Sequence, residues 1–226
     1  MTQQLQKKTN IRNGVFGALD FFVGAIALLI ATPIFLKTLG GEQYGILVIA
    51  NTVLGMGGLF SLGMGQATLK FVSKYLALGE SDKVNDVIKS TYTIYLLIGI
   101  FCGCLGYALS GFLVDDVFQP SDTNRDDAIQ SLRIVSIGFL FYYIASVFDS
   151  ALKGAERFDC TTVVDVVIRV SVIIIQILLA VLGDGLPLII AVPVFGIAIT
   201  ALTKSFLVKR VVCKTFNYLP GIKRSV

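Results

Sequence analysis

Histidine and tryptophan are both absent from this sequence, and charged residues make up only 15% of it. Without histidine the chain lacks the commonest general base and metal ligand of proteins. The Walker A, GxSxG, HExxH and CxxC patterns are missing as well, so ATP hydrolysis and the familiar hydrolytic chemistries lack their parts. We therefore expect no enzymatic activity, no metal site and no cofactor.

The four cysteines do not form a paired pattern. Cys102 and Cys104 lie inside one apolar block, Cys160 at the start of another, and Cys213 in the C-terminal tail. None lies in a candidate outer loop, so their spacing indicates neither a disulfide framework nor a zinc site.

Apolar residues are abundant, since they make up 55% of the chain, and they come in long blocks. A block of about 18 residues or more can cross a hydrocarbon core of roughly 30 Å as an α-helix. Six blocks are present, at approximately residues 14–36, 44–66, 91–113, 129–152, 161–182 and 186–208. They predict an all-α integral membrane protein, a bundle of about six transmembrane helices. Residues 1–13 and 209–226 are then an N-terminal tail and a basic C-terminal tail.

The basic residues predict the orientation of these helices, because Lys and Arg in short loops favour the cytoplasmic side. With the N-terminus inside, fifteen Lys and Arg residues fall in cytoplasmic segments, and the outer loops contain only Lys37 and Arg125. Lys204 is counted here with the basic C-terminal residues. We therefore expect both termini in the cytoplasm and Ser121 outside. The net charge of +4 is spread over membrane-flanking loops, so it requires no nucleic-acid partner.

Five ionisable residues lie within the predicted spans, where each costs about 2.5 to 3.5 kcal/mol on insertion scales and is a candidate functional residue. They are Asp20, Arg133, Asp149, Asp165 and Arg169. Arg133 and Asp149 each lie about one turn from the end of a span, where a side chain can reach the interface. We interpret these two as features of topology.

Asp165 and Arg169 are separated by four residues with the acid first, which is the favourable order for an ion pair on one helix face. Arg169 lies roughly 12 Å inside the predicted inner boundary. Two interpretations stay open: the pair neutralises itself within the bundle, or Arg169 lines a water-filled cavity and attracts an anion. Asp20, roughly 9 Å inside the first span, is a candidate proton or cation site, a partner for Arg169, or a residue in a water-filled vestibule.

The second connection, between residues 66 and 91 on the inner side, contains a helical pattern with Lys70 and Lys74 at the level of the lipid headgroups, ended by Gly79. Prolines inside the spans are candidate kink positions, tolerated where neighbouring groups satisfy the freed carbonyls. They are Pro33, Pro187 and Pro193.

Three stretches of the chain resemble one known family. LKTLGGEQYGILVIA (Leu36 to Ala50) is similar to the LG-x-E-x-YG loop of the Wzx-like polysaccharide flippases, the polysaccharide transporter branch of the multidrug/oligosaccharidyl-lipid/polysaccharide exporter superfamily. LFSLGMGQATLKFVSKYLALGE (Leu59 to Glu80) resembles its DLGLG-x-A-x-x-RF run, and ALKGAERFD (Ala151 to Asp159) resembles the loop between its fourth and fifth helices. The sequence departs from the pattern at Ser61, where an acidic residue is common, and at Lys70, where arginine is common.

The resemblance implies one lobe of a MATE-like two-lobe transporter in the bacterial cytoplasmic (inner) membrane. It implies translocation of a lipid-linked oligosaccharide to the outer leaflet, for O-antigen, lipopolysaccharide or another surface polysaccharide. Membrane lipids and a polysaccharide polymerase or glycosyltransferases would be partners. Arg169 is the first candidate to contact the anionic headgroup, with Asp165 and Asp20 tuning the cavity, and this choice rests on charge and depth.

Two other functions stay open. One is an ion-coupled exporter of small amphipathic molecules with Asp20 as its coupling site, and the other is a non-transporting membrane scaffold for polysaccharide assembly. The family that the chain resembles has about twelve or more helices, whereas this sequence stops about 18 residues after its sixth span. We therefore expect a truncated gene, a partner that supplies the second lobe, or a second copy in a homodimer, and we favour the first.

Overall fold

The computed structural model describes the backbone of residues 2–61 and 63–212 and the side chains of residues 22–58 and 63–212. Within these ranges the chain is helical and contains no strand. The helices are α1 (Thr2–Gly55), α2 (Met64–Ala77), α3 (Ser81–Phe112), α4 (Arg125–Gly154), α5 (Phe158–Leu182) and α6 (Leu186–Val211). Short helical turns occur at Met56–Ser61, Leu113–Phe118 and Asp122–Asn124. Most of the predicted C-terminal tail, from residue 213 onwards, lies outside the described chain.

Within the described residues, five segments are long and apolar enough to cross a membrane. They are Phe22–Gly58, Ser81–Phe118, Asp122–Gly154, Phe158–Leu182 and Leu186–Val211. Many large apolar side chains are exposed on these helices, among them Leu29, Phe101, Leu182 and Leu202. An apolar exterior of this extent is typical of a surface that faces lipid. The all-α membrane bundle predicted from the sequence is thus confirmed.

The first of these segments is divided at Gly40, whose backbone (φ 77°, ψ 171°) is not helical and is accessible essentially only to glycine. The Tyr44 hydroxyl donates a hydrogen bond of 3.2 Å to Thr32 Oγ1, although the two residues are 12 positions apart. In a continuous helix they would be separated by about 18 Å along the axis. The chain therefore reverses at Gly40. The two arms of α1, residues 22–39 and 41–55, lie side by side, and with α3 to α6 they make a six-helix bundle.

α4 lies at the centre of this bundle, where it packs against α1, α2, α3 and α6. Of its most apolar stretch 56% is buried, against 11% for α5. Its close approach to α3 depends on glycine: a Cβ atom on Gly103 would lie 2.9 Å from the Ser136 carbonyl oxygen, and one on Gly106 would lie 2.7 Å from Ser136 Oγ. Small residues allow helices in membranes to pack backbone against backbone.

Two clusters of buried apolar side chains hold the helices together at opposite ends. One joins the arms of α1 to the start of α4, the end of α5 and the start of α6, and includes Phe35, Leu47 and Ile189. The other joins α2, the first half of α3 and the second half of α4, and includes Tyr95 and Phe148.

The prolines of α6 act differently from each other. Pro187 lies in the first turn, where no intrahelical N–H is required, so it begins the helix and does not kink it. Pro193 lies inside the helix, and its missing N–H frees the carbonyl of Ile189. Gln176 Nε2 of α5 donates a buried hydrogen bond of 3.1 Å to this carbonyl. A neighbouring helix thus satisfies the group that the proline leaves free.

Candidate functional site: a charged cavity between three helices

A cavity of about 380 Å³ lies between α4, α5 and α6. Each helix contributes residues at helical spacing: Tyr142, Ala145, Ser146 and Asp149 from α4, Asp165, Ile168, Arg169 and Val172 from α5, and Pro193, Gly196, Ile197, Thr200 and Lys204 from α6. The recurrence at i, i+3, i+4 and i+7 means that one face of each helix, with its side chains, lines the cavity. Two acidic and two basic side chains are part of this lining, so its formal charges cancel.

Lys204 is buried between the helices, with 3% of its surface exposed. Its Nζ donates hydrogen bonds to Asp149 Oδ1 of α4 (2.6 Å) and Asp165 Oδ2 of α5 (2.8 Å). Asp149 also forms an ion pair with Lys153, with a distance of 2.7 Å between Oδ2 and Nζ. Because each buried charge has a partner of opposite sign, the cost of removing it from water is offset. One side chain therefore connects α6 to both α4 and α5.

This network corrects two interpretations made from the sequence. Counting of loop charges assigned Lys204 to the cytoplasmic tail, but the structure places it inside the bundle, about two turns before the end of α6. Asp149 is not merely a residue near the end of a span, because it bonds Lys204 in the cavity wall. The sequence could have indicated this, because Lys204 lies within the block 186–208 and is thus a sixth ionisable residue of the predicted spans.

Of the residues proposed from the sequence, Asp165 and Arg169 both line the cavity. The helical spacing predicted Arg169 as the partner of Asp165, and this stays a prediction. The structure shows in addition a hydrogen bond between Asp165 and Lys204 of α6. Arg169 lies deeper in the bundle, about 16 Å along the axis from Phe158 at the start of α5. A Cβ atom on Gly24 would lie 2.7 Å from Arg169 Nη1. Gly24 thus leaves room for the guanidinium between α5 and the first arm of α1.

Asp20, the third proposed residue, lies outside the described side chains, which begin at Phe22. Its role stays a prediction. Among the described side chains, no group of three or more cysteine or acidic residues is placed to hold a metal ion.

Arg133, the other arginine within the predicted spans, lies away from this cavity. Its Nε donates a hydrogen bond of 3.3 Å to Ser110 Oγ, and its guanidinium carbon lies 5.1 Å from the centre of the Tyr107 ring. Both partners belong to α3. Arg133 is therefore a matched control for Arg169, since it has the same chemistry but does not border the cavity.

Comparison with known proteins places this architecture in a family. The model of the MatE family matches residues 22–182, from the first arm of α1 to the end of α5. The chain belongs to the MatE family. MatE proteins are membrane exporters and not enzymes, which agrees with an apolar bundle that encloses a charged cavity.

One curated protein to which this MatE chain is similar is "Uncharacterized membrane protein EpsK" of Bacillus subtilis (strain 168). The two are 26% identical over 136 residues, which is 60% of this chain and 27% of EpsK. The alignment thus spans about a quarter of the relative's length. No solved structure gives a significant match.

Proposed function

We propose that this chain takes part in translocating a lipid-linked oligosaccharide across the bacterial cytoplasmic membrane for surface polysaccharide biosynthesis. The observation that carries this proposal is the cavity that holds Arg169 and the Lys204 network inside an apolar bundle. A diphosphate-linked glycan does not cross hydrocarbon unaided, because removing its charges and hydroxyls from water costs too much. A charged cavity can accommodate the head group while the lipid tail stays in the bilayer. Membership of the MatE family and the three sequence stretches described above support this function.

Arg169 is the residue that we assign to the anionic head group. Arg169 lines the cavity, and Lys204 adds a second positive charge that bonds both Asp149 and Asp165. Lys153 adds a further positive charge beside Asp149, which favours an anionic ligand. The volume of about 380 Å³ falls within the range of roughly 300–1,000 Å³ for small-molecule sites. It suits a diphosphate with an adjoining sugar, and the remaining sugars would extend out of the cavity.

Binding by the purified chain tests this proposal. We expect a polyprenyl-diphosphate oligosaccharide to bind about tenfold or more tightly than the neutral polyprenol, since hydrogen bonds to charged groups contribute roughly 1.5–3 kcal/mol. Native mass spectrometry in detergent measures both ligands on the same sample. A cationic dye should not compete with the diphosphate lipid. Competition by the dye, with no preference for the diphosphate, would contradict the proposal and favour the export of small amphipathic molecules.

We also propose that both termini are cytoplasmic, which places the α3–α4 loop outside and the α2–α3 turn inside. Ser121 is exposed in the α3–α4 loop and Ser81 is exposed at the start of α3, next to the α2–α3 turn. Cys104 is exposed as well. In a background with all native cysteines replaced, Ser121→Cys should react with an impermeant thiol reagent in intact cells. Ser81→Cys should react only after the membrane is permeabilised. The opposite labelling pattern would show that the orientation is inverted.

A further inference from the structure

α2 is too short to cross a membrane. Its 14 residues extend about 21 Å, against roughly 30 Å of hydrocarbon. Gly79, with a left-handed backbone (φ 73°), follows it and turns the chain back into α3. α2 therefore lies at one end of the bundle, beside the first turns of α3.

Contacts of α2 with α3 show the level at which it lies. Thr68 and Thr91 share a buried hydrogen bond of 2.9 Å, whereas Tyr75, two turns later on α2, meets Lys83 near the start of α3. The two helices thus run antiparallel, and the C-terminal end of α2 points out of the bundle. α3 has 32 residues and extends about 48 Å, which exceeds the hydrocarbon thickness. Its first turns contain Asp82, Lys83, Asp86 and Lys89, so we expect this end of α3 to project beyond the hydrocarbon. We accordingly infer that Tyr75 lies at the level of the headgroups.

One face of α2 is exposed and combines positive charge with apolar side chains. Lys70, Phe71, Lys74 and Leu78 fall on a single arc of the helix, opposite the buried Thr68 and Val72. Phe71 is 42% exposed and Leu78 60% exposed, although both are large and apolar. These four residues are named here the α2 surface.

A third lysine adjoins the α2 surface. Lys74 Nζ and Lys83 Nζ lie 5.6 Å and 5.5 Å from the centre of the same Tyr75 ring. Lys83 also pairs with Glu80 at 3.0 Å, and Asp82 and Asp86 follow on α3, whereas α2 itself contains no acidic residue. The positive charge is therefore concentrated on the α2 side of the turn between α2 and α3.

We propose that the α2 surface, together with Lys83, binds the phosphate of an anionic membrane lipid whose acyl chains lie beside Phe71 and Leu78. Lysines at the membrane surface attract anionic headgroups, and the exposed apolar side chains between them suit the acyl region immediately below. A soluble acidic partner would satisfy the lysines but leave Phe71 and Leu78 in water. This inference does not depend on the substrate proposed above.

The absence of tryptophan permits a direct test, because Phe71→Trp introduces a unique fluorophore on the α2 surface. The full chain is reconstituted in phosphatidylcholine vesicles in which a minor fraction of the lipid is brominated phosphatidylglycerol or brominated phosphatidylcholine. We expect the anionic lipid to associate with this indole about three- to tenfold more strongly than the zwitterionic lipid does. Phe101→Trp is the control, since Phe101 is 67% exposed on α3 away from the α2 surface. For this variant the ratio of anionic to zwitterionic lipid association should be close to one.

Neutralising the lysines separates specific binding from general membrane contact. Lys70→Gln, Lys74→Gln and Lys83→Gln together should lower the ratio measured with Phe71→Trp to about one, and the corresponding arginine variants should preserve it. The fluorescence of Phe101→Trp in the same glutamine background shows that the protein is still inserted. The proposal would be overturned if both lipids quench Phe71→Trp equally when the three lysines are intact, or if the glutamine substitutions leave the ratio unchanged. Equal quenching by both lipids, together with binding of soluble polyglutamate that the glutamine substitutions abolish, would indicate an acidic protein partner instead.

Discussion

Lys204→Met should destabilise the bundle by about 3–5 kcal/mol, as is typical when one partner of a buried ion pair is removed. The substitution keeps the length of the side chain but leaves Asp149 and Asp165 without the ammonium that bonds both of them at 2.6 and 2.8 Å. Lys153 remains beside Asp149, so we expect the larger effect at the contact between α5 and α6. Thermal unfolding of the purified protein in detergent measures the effect.

Two further variants make this prediction specific. Arg210→Met removes an exposed cation of the same helix and should change stability by less than about 0.5 kcal/mol. Adding Asp165→Asn to Lys204→Met should restore much of the lost stability, because the carboxylate of α5 that bonded Lys204 is then replaced by a neutral amide. If Lys204→Met unfolds at the same temperature as Arg210→Met, Lys204 does not stabilise the helix contacts described above.

Arg169→Ala should weaken binding of the diphosphate lipid by about tenfold to a hundredfold, which corresponds to the loss of hydrogen bonds to a charged group. Arg169→Lys should retain part of the binding, because the positive charge is kept and only the planar geometry is lost. Export of surface polysaccharide in cells should fall in the same order, with the protein still inserted. Native mass spectrometry and an immunological assay of the polysaccharide give the two readouts.

Arg133→Ala is the matched control for this experiment, since it removes an arginine that contacts Ser110 and Tyr107 on α3 and does not line the cavity. It should leave binding unchanged. If Arg169→Ala binds the lipid normally, the guanidinium has a structural role only. If both substitutions weaken binding equally, the effect arises from a general loss of stability.

The helices of the bundle could be predicted from the sequence because the length of an apolar run directly reflects the thickness that it has to cross. The reversal at Gly40 also agrees with the short polar stretch between the first two blocks. α2 was visible in the sequence through Lys70, Lys74 and Gly79. These features depend on residues close together along the chain.

The Lys204 network could not be predicted in the same way, because it depends on contacts between helices. A lysine near the end of an apolar block looks like any lysine that reaches the headgroups. Its burial follows from Asp149 and Asp165, which lie 55 and 39 residues earlier in the chain. The spacing rule for ion pairs considers one helix only. It predicted Arg169 as the partner of Asp165 and could not include a residue of α6.

The pairing of Gln176 with the Ile189 carbonyl has a mechanical consequence. Two hydrogen bonds join α5 to α6 at different depths: the one between Gln176 and Ile189 and the one between Lys204 and Asp165. The two hydrogen bonds are about 22 Å apart along α6, and Pro193, where the helix is easiest to bend, lies between them. α6 cannot bend there alone without breaking one of the two. A movement that separates α6 from α5 therefore has to break both bonds, and one that separates α6 from α4 has to break the bond between Lys204 and Asp149 and to part the most extensive helix contact of the bundle.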